Sequence, residues 1–159
     1  MITYTPATAD DITPIYLQCK QHIDTYENRN AIDYDRVMQW VRRKVEIKIG
    51  EYTVISVNGQ KAGYYRFCKN EVGMPEIDDL YLFPEYQNQG VGTAVIQRCC
   101  AAVNEPVMLY VFIRNKRAFF LYQRLGFQIT ETIGDSRYIM VRQPDTHHCV
   151  AENQTNGQK

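Results

Sequence analysis

An apolar strand that halts at a proline and reopens as a helix behind two closely spaced glycines limits this chain most tightly. Leu80-Tyr81-Leu82-Phe83 is apolar and aromatic, Pro84 stops it, Glu85 to Gln89 is polar, and Gly90-Val91-Gly92-Thr93 opens the next periodic run. Glycine carries no Cβ to cover the backbone. The first N–H groups of a helix have no partner within it, and the helix dipole adds partial positive charge there. A helix start of this kind is an anion site, with phosphate its commonest guest. The plain alternative is a tight strand-to-helix turn that binds nothing. No Gly-Lys-Ser/Thr follows, as a Walker loop requires, and the third glycine and downstream acid of a dinucleotide fingerprint are missing.

The periodicities around this loop alternate between strand and helix. Ile2 to Thr5 reads as a strand. Asp10 and Asp11 are placed to cap a helix with Ile12, Ile15, Tyr16, Cys19 and Ile23 at helical spacing, and Pro14 falls in its first turn, where proline is tolerated. Asp33 caps a second helix with Val37, Met38, Trp40 and Val41 on or near one face. Tyr52 to Val57 is β-branched and aromatic, Asn58-Gly59 is a hairpin signal, and Ala62 to Cys68 returns, with Gly63 at a bulge. Glu76 to Phe83 is the next strand and Gly90 to Val103 a helix. Val107 to Phe112 is a nearly continuous apolar run, the mark of a buried central strand. Lys116 to Leu125 is a helix with Gly126 as its stop, and Phe127 to Ile133 and Arg137 to Val141 form a last hairpin. The order is β-α-α-β-β-β-α-β-α-β-β, and its β-α-β-α stretch implies neighbouring parallel strands. Residues 1–142 are expected to form a single domain, and residues 143–159 a polar, disordered tail.

Composition narrows the function classes. Eighteen basic and eighteen acidic side chains balance, which argues against a general nucleic-acid binder. The five cysteines are irregularly spaced and form no CxxC pair, so they read as reduced thiols rather than a disulfide frame or a zinc site. His147-His148 has no companion ligands, and no metal is expected. No basic segment leads into an apolar run at the N-terminus and no run reaches membrane-spanning length, so a cytoplasmic protein is expected.

A second constellation follows the central strand. Asn115 is placed to cap the helix start, and Tyr122 lies seven residues on, about two turns along the same face. Its hydroxyl could point toward the mouth between the two strands. Taken alone, an asparagine cap and a core tyrosine explain this segment as well.

Together the segments resemble the GNAT superfamily of N-acetyltransferases. Gln87-Asn88-Gln89-Gly90-Val91-Gly92 matches the family's Q/R-x-x-G-x-G/A motif, and Leu80 to Pro84 looks like its fourth strand. Asn115 to Phe127, read as N-x-x-A-x-x-L-Y-x-x-x-G-F, looks like its second signature. Residues 52–141 carry the resemblance well, and the first 50 residues carry it only in element order. It implies an α/β fold (an α+β mixed sheet) of about six to seven strands flanked by about four helices.

The resemblance implies acetyl-CoA as cosubstrate and an amine as acceptor. Its pantetheine arm would bond to the backbone of Leu80, Tyr81 and Leu82, with the Leu82 N–H facing the thioester carbonyl. The pyrophosphate would rest on the N–H groups of Asn88, Gln89, Gly90, Val91, Gly92 and Thr93. Asn115 would contact the cofactor, and Lys116 or Arg117 could meet its phosphates. Dimers are common among relatives, and neither nucleic acid nor membrane is implied as a partner.

Direct attack of an amine on the thioester needs a base, because an alkylamine arrives mostly protonated at neutral pH. Tyr122 matches the family's general-acid tyrosine. Glu76 and Asp78 match positions where members carry an acid, and strand alternation puts these two on one face and Asp79 on the other. Other members carry a glutamate on strand five, where this chain has Tyr110. These acids could equally anchor substrate or cap the strand. Tyr26, Glu27, Tyr34, Trp40 and Tyr65 are candidates for the acceptor side by location alone. A non-catalytic acyl-CoA sensor and a phosphate-binding structural domain are the competing classes.

Overall fold

The computed structural model describes residues 1–146. Its elements are β1 (Ile2–Pro6), α1 (Ile12–Tyr26), α2 (Tyr34–Lys48), β2 (Tyr52–Val57), β3 (Gln60–Lys69), β4 (Pro75–Leu82), α3 (Val91–Ala101), β5 (Val107–Phe112), α4 (Lys116–Arg124), β6 (Gln128–Ile133) and β7 (Arg137–Arg142). They follow the order that the periodicities predict. One mixed sheet runs β1-β2-β3-β4-β5-β7-β6. Among the described residues only β4 and β5 pair in parallel, and they flank the α3 crossover.

The sheet buries both faces. α1 and α2 pack Ile15, Met38, Val41 and Val45 against Val54 and Tyr64 on one side. α3 and α4 pack Val91, Val95, Ile96 and Tyr122 against Ile55, Leu109 and Val111 on the other. Alternation explains the division, since adjacent Val54 and Ile55 point to opposite faces. Trp40, expected near the buried face of α2, is exposed. It lies two residues, about 200° at 100° per residue, round from buried Met38.

Turn chemistry holds the hairpins. Asn58 and Gly59 both have positive φ, 50° and 81°, as a two-residue turn of this hand requires. The bulge expected at Gly63 falls one residue earlier. Ile55 pairs with Gly63 and Ser56 with Lys61, which leaves Ala62 as the extra residue. Gly63 is needed for another reason: a Cβ there would lie 2.0 Å from the Tyr81 carbonyl oxygen on β4.

The cap of α1 also departs from expectation. Asp11 occupies the N-cap but makes no side-chain cap bond. Its carboxylate instead accepts from the Thr8 N–H (2.9 Å), Lys61 (2.7 Å) and the Tyr64 hydroxyl (3.2 Å). It thereby ties the start of α1 to β3. Asp33 and Asn115 cap α2 and α4 as predicted, accepting from the Arg36 and Ala118 N–H groups. Cys149 and the His147-His148 pair lie outside the described residues, as does most of the tail expected to be disordered.

Candidate functional site

β4 and β5 stay together for only two residue pairs, Glu76 with Met108 and Ile77 with Leu109. A β-bulge sits directly beyond. Arg66 on β3 pairs with Asp79 and Phe67 with Ile77, so Asp78 is the extra residue. A bulge bends its strand and increases its twist, which turns β4 away from β5. A cavity of about 630 Å³ fills the gap.

The parted edge of β4 presents free backbone. The Phe83 N–H turns to the Ala62 carbonyl on β3 (2.8 Å), and the Tyr81 carbonyl faces Gly63 on the same side. By alternation the backbones of Leu82 and Leu80 face the cavity. Tyr81 contributes differently from expectation: its backbone faces β3, and its side chain lines the cavity. The side-chain amide of Gln87 donates to the Leu82 carbonyl (2.9 Å), which fixes the loop against the strand.

The glycine loop closes one end. Gly90 is the α3 N-cap in the left-handed region (φ 78°), Asn88 is left-handed as well (φ 59°), and among the described residues no side chain caps the helix. Successive amides in such a loop form a concave anion nest. A Cβ on Gly90 would meet nothing within 4 Å, and one on Gly92 would sit 3.6 Å from Leu82 and Leu121. Asn88, Gly90, Gly92, Thr93 and Asn115 all line the cavity. Gln89 instead turns its amide to the Glu85 carbonyl (2.6 Å), and the Val91 side chain is buried beneath α3. Lys116 does not line the cavity. Arg117 does, and it donates to the Gln87 side chain (3.2 Å). One helical step separates these two bases, and the capped start of α4 aims the second inward.

Tyr122 stands at the inner end. It packs on Phe127 with ring centroids 5.9 Å apart and is 9% exposed. Burial pushes its phenol up to about 12. The group is therefore protonated at neutral pH and able to donate.

The strand-four acids are arranged otherwise than alternation predicts. The bulge brings Asp78 and Asp79 to one side, where Lys44 of α2 reaches both, at 2.6 and 3.3 Å. Asp78 also pairs with Arg66. Asp79 accepts from the hydroxyls of Tyr52 and Tyr81. Burial alone would raise the Asp79 carboxyl, but Lys44 and the two hydroxyls hold it below its usual value. Burial likewise opposes the Lys44 charge, and the two aspartates more than offset it. Glu76 does not line the cavity. Burial and the neighbouring Asp78 raise its carboxyl.

The opposite wall comes from α1, β5 and β7. Cys19, His22 and Tyr26 follow at helical spacing along α1 and line the cavity together with Tyr110 and Phe112 of β5 and Arg137 of β7, with Tyr26 stacked on Phe112. Of the acceptor-side candidates, Tyr26 and Trp40 line the cavity. Glu27 accepts from the Ser136 hydroxyl, Tyr34 donates to Asp24, and Tyr65 packs edge-on to Tyr4 in the core. Sequence reasoning passed over His22, Lys44 and Arg137. The only signal for His22 was its place beside Cys19 and Ile23 on the inward stripe of α1. Lys44 and Arg137 carried none, because their neighbours are distant in the chain. Among the described residues no cluster of three or more metal-ligating side chains occurs, and no helix is long and apolar enough to cross a membrane.

The profile of the acetyltransferase (GNAT) family matches residues 10–127. An uncharacterised N-acetyltransferase of Methanocaldococcus jannaschii is 25% identical over 134 residues, 78% of this chain and 58% of that protein. Thialysine N-ε-acetyltransferase of Mus musculus is 38% identical over 63 residues, 36% of this chain and 37% of that protein. The chain thus spans less than two thirds of the curated relatives it matches. Among solved structures, the PaiA N-acetyltransferase of Thermoplasma acidophilum, in complex with coenzyme A, superposes with a TM-score of 0.66 at 18% identity, covering 90% of this chain and 99% of that one. Ard1 of Thermoplasma volcanium gives 0.67 at 19% identity, with 91% and 99% covered.

Proposed function

The chain belongs to the acetyltransferase (GNAT) family, and on that premise we propose that it transfers the acetyl group of acetyl-CoA to a primary amine by direct attack. The parting of β4 and β5 after Ile77 and Leu109 carries this reading. It leaves one continuous cavity that reaches from the uncapped start of α3 to Tyr122 and on to the α1 wall. The residues suit the cosubstrate: free amides at a left-handed glycine loop for a diphosphate, and an unpaired strand edge for an amide-bearing arm.

The geometry supports the following roles. The N–H groups of residues 90–93 hold the diphosphate, with Arg117 beside them. The backbones of Leu80 and Leu82 bind the arm, and the Leu82 N–H stabilises the oxyanion that forms when the amine nitrogen attacks the thioester carbon. As the carbon–sulfur bond breaks, Tyr122 gives its proton to the departing thiolate. The proton displaced from the amine leaves by water rather than through Glu76 or Asp78. Glu76 lies off the cavity, and Asp78 is held by Lys44 and Arg66.

Thiol release from acetyl-CoA across a panel of primary amines tests the reading, with Tyr122→Phe as the control. Amine-dependent release that drops in the variant supports it. Tight CoA binding without turnover on any amine would instead support the acyl-CoA sensor.

A further inference from the structure

Among the described residues, Arg137 is the one cavity-lining cation whose surroundings call for a guest. It opens β7 opposite Phe112, the last residue of β5. Its guanidinium carbon lies 5.1 Å from the centroid of the Tyr110 ring. Its Nε–H is buried and has no hydrogen-bond partner, and no carboxylate lies within ion-pair distance among the described residues. The other bases along the cavity are accounted for. Lys44 is paired with Asp78 and Asp79, Arg117 donates to Gln87, and Arg124 is exposed at the far end of α4.

A guanidinium cannot shed its proton, so this charge remains at every working pH. A partly buried cation with an idle N–H is costly until an anion completes it. The Tyr110 ring, within cation–π range of the group, carries no carboxylate to take its N–H donors. Those donors form the fork that matches a carboxylate. The register with Phe112 fixes where the fork stands.

The side of the sheet tells which ligand it meets. Leu109, Val111 and Tyr138 pack toward α3 and α4, so by alternation Tyr110 and Arg137 face the α1 side. They stand across from His22 and Tyr26, away from the glycine loop and Arg117. The group is thus set for the acceptor rather than for the diphosphate.

We propose that the acceptor is an amine that also bears a carboxylate, of the amino-acid class, and that Arg137 binds that carboxylate through its fork. This rests on the acetyl-transfer reading of the same cavity. Tyr110 steadies the guanidinium by cation–π attraction. The aromatic wall of Tyr26 and Phe112, with ring centroids 6.2 Å apart, flanks the carbon skeleton between.

Matched pairs test this: lysine with 1,5-diaminopentane, tyrosine with tyramine, and each amino acid with its amide. A dipeptide arm separates free amino acids from peptide C-termini. The carboxylated member should show a kcat/KM about tenfold or more above its neutral partner, and Arg137→Gln should erase that gap through KM. Arg137→Lys, which keeps the charge but not the fork, should restore part of it. Equal turnover of acids and neutral partners, or an equal loss for both in Arg137→Gln, overturns the proposal and leaves the transfer reading intact. Titration of N-acetyl-lysine against N-acetyl-1,5-diaminopentane on the CoA-loaded protein reads the anchor without turnover. Preference for the acid, lost in Arg137→Gln, supports the anchor even if no amine reacts, and that outcome would sink the transfer reading alone. No preference in the titration overturns the anchor.

Discussion

The imidazole of His22 and the ring of Tyr81 stand 4.7 Å apart, centroid to centroid, and join α1 to the free half of β4. The Tyr26 ring stacks with the same imidazole at 5.6 Å. Tyr81 in turn donates to Asp79, which Lys44 pairs. The acceptor wall and the buried charges beneath it are therefore one connected unit.

That contact makes stability sensitive to mild acid. Burial pulls the His22 imidazole below its usual 6.5, and nearby Asp79 offsets this only in part. The unfolded chain then binds a proton that the folded one resists, so stability falls as pH drops below about 6.5. The melting temperature should decline from pH 7.5 to pH 5.5, at roughly 2–4 °C for each kcal/mol lost. His22→Phe should flatten that decline, and an unchanged slope in the variant would contradict this account.

Tyr122→Phe should leave the fold and the CoA affinity close to those of the parent, because burial alone perturbs its phenol. Turnover should fall about 100-fold, the lower range for a lost general acid. With its phenol pushed up to about 12, Tyr122 should impose no alkaline limb on kcat below about pH 10. Steady-state kinetics beside CoA titration separate the two effects, and equal losses in rate and affinity would make Tyr122 a binding residue.

Gly92→Val should weaken CoA about tenfold or more while the protein stays folded. A Cβ at Gly92 meets Leu82 and Leu121 only at ordinary contact distance, 3.6 Å, so the main cost falls on the cavity. Calorimetric titration with CoA checks this. Parent-like affinity in a folded variant would remove the diphosphate from this loop.

Lys44→Met should destabilise the protein by about 3 kcal/mol, since it strips buried Asp79 and half-buried Asp78 of a shared cation. The figure sits at the low end of such losses because Arg66, Tyr52 and Tyr81 still hold Asp78 and Asp79. Urea unfolding measures it. A variant as stable as the parent would mean that the network is worth little.

The element order, the Asn58-Gly59 hairpin, the caps at Asp33 and Asn115 and the glycine loop before α3 were all legible in the sequence. Each depends on residues within a turn or two of one another, where propensity, periodicity and capping act. The bulge at Asp78 was not legible, because pairing with Arg66 and Phe67 on β3 creates it. That long-range register overrode alternation, brought Asp78 and Asp79 to Lys44 and turned β4 from β5. His22, Lys44 and Arg137 come from three distant segments, and only the docking of α1 and α2 on the sheet sets them around one cavity. Short-range backbone preference wrote the elements of this protein, while strand register and helix packing, which act across the whole chain, decided what the cavity contains.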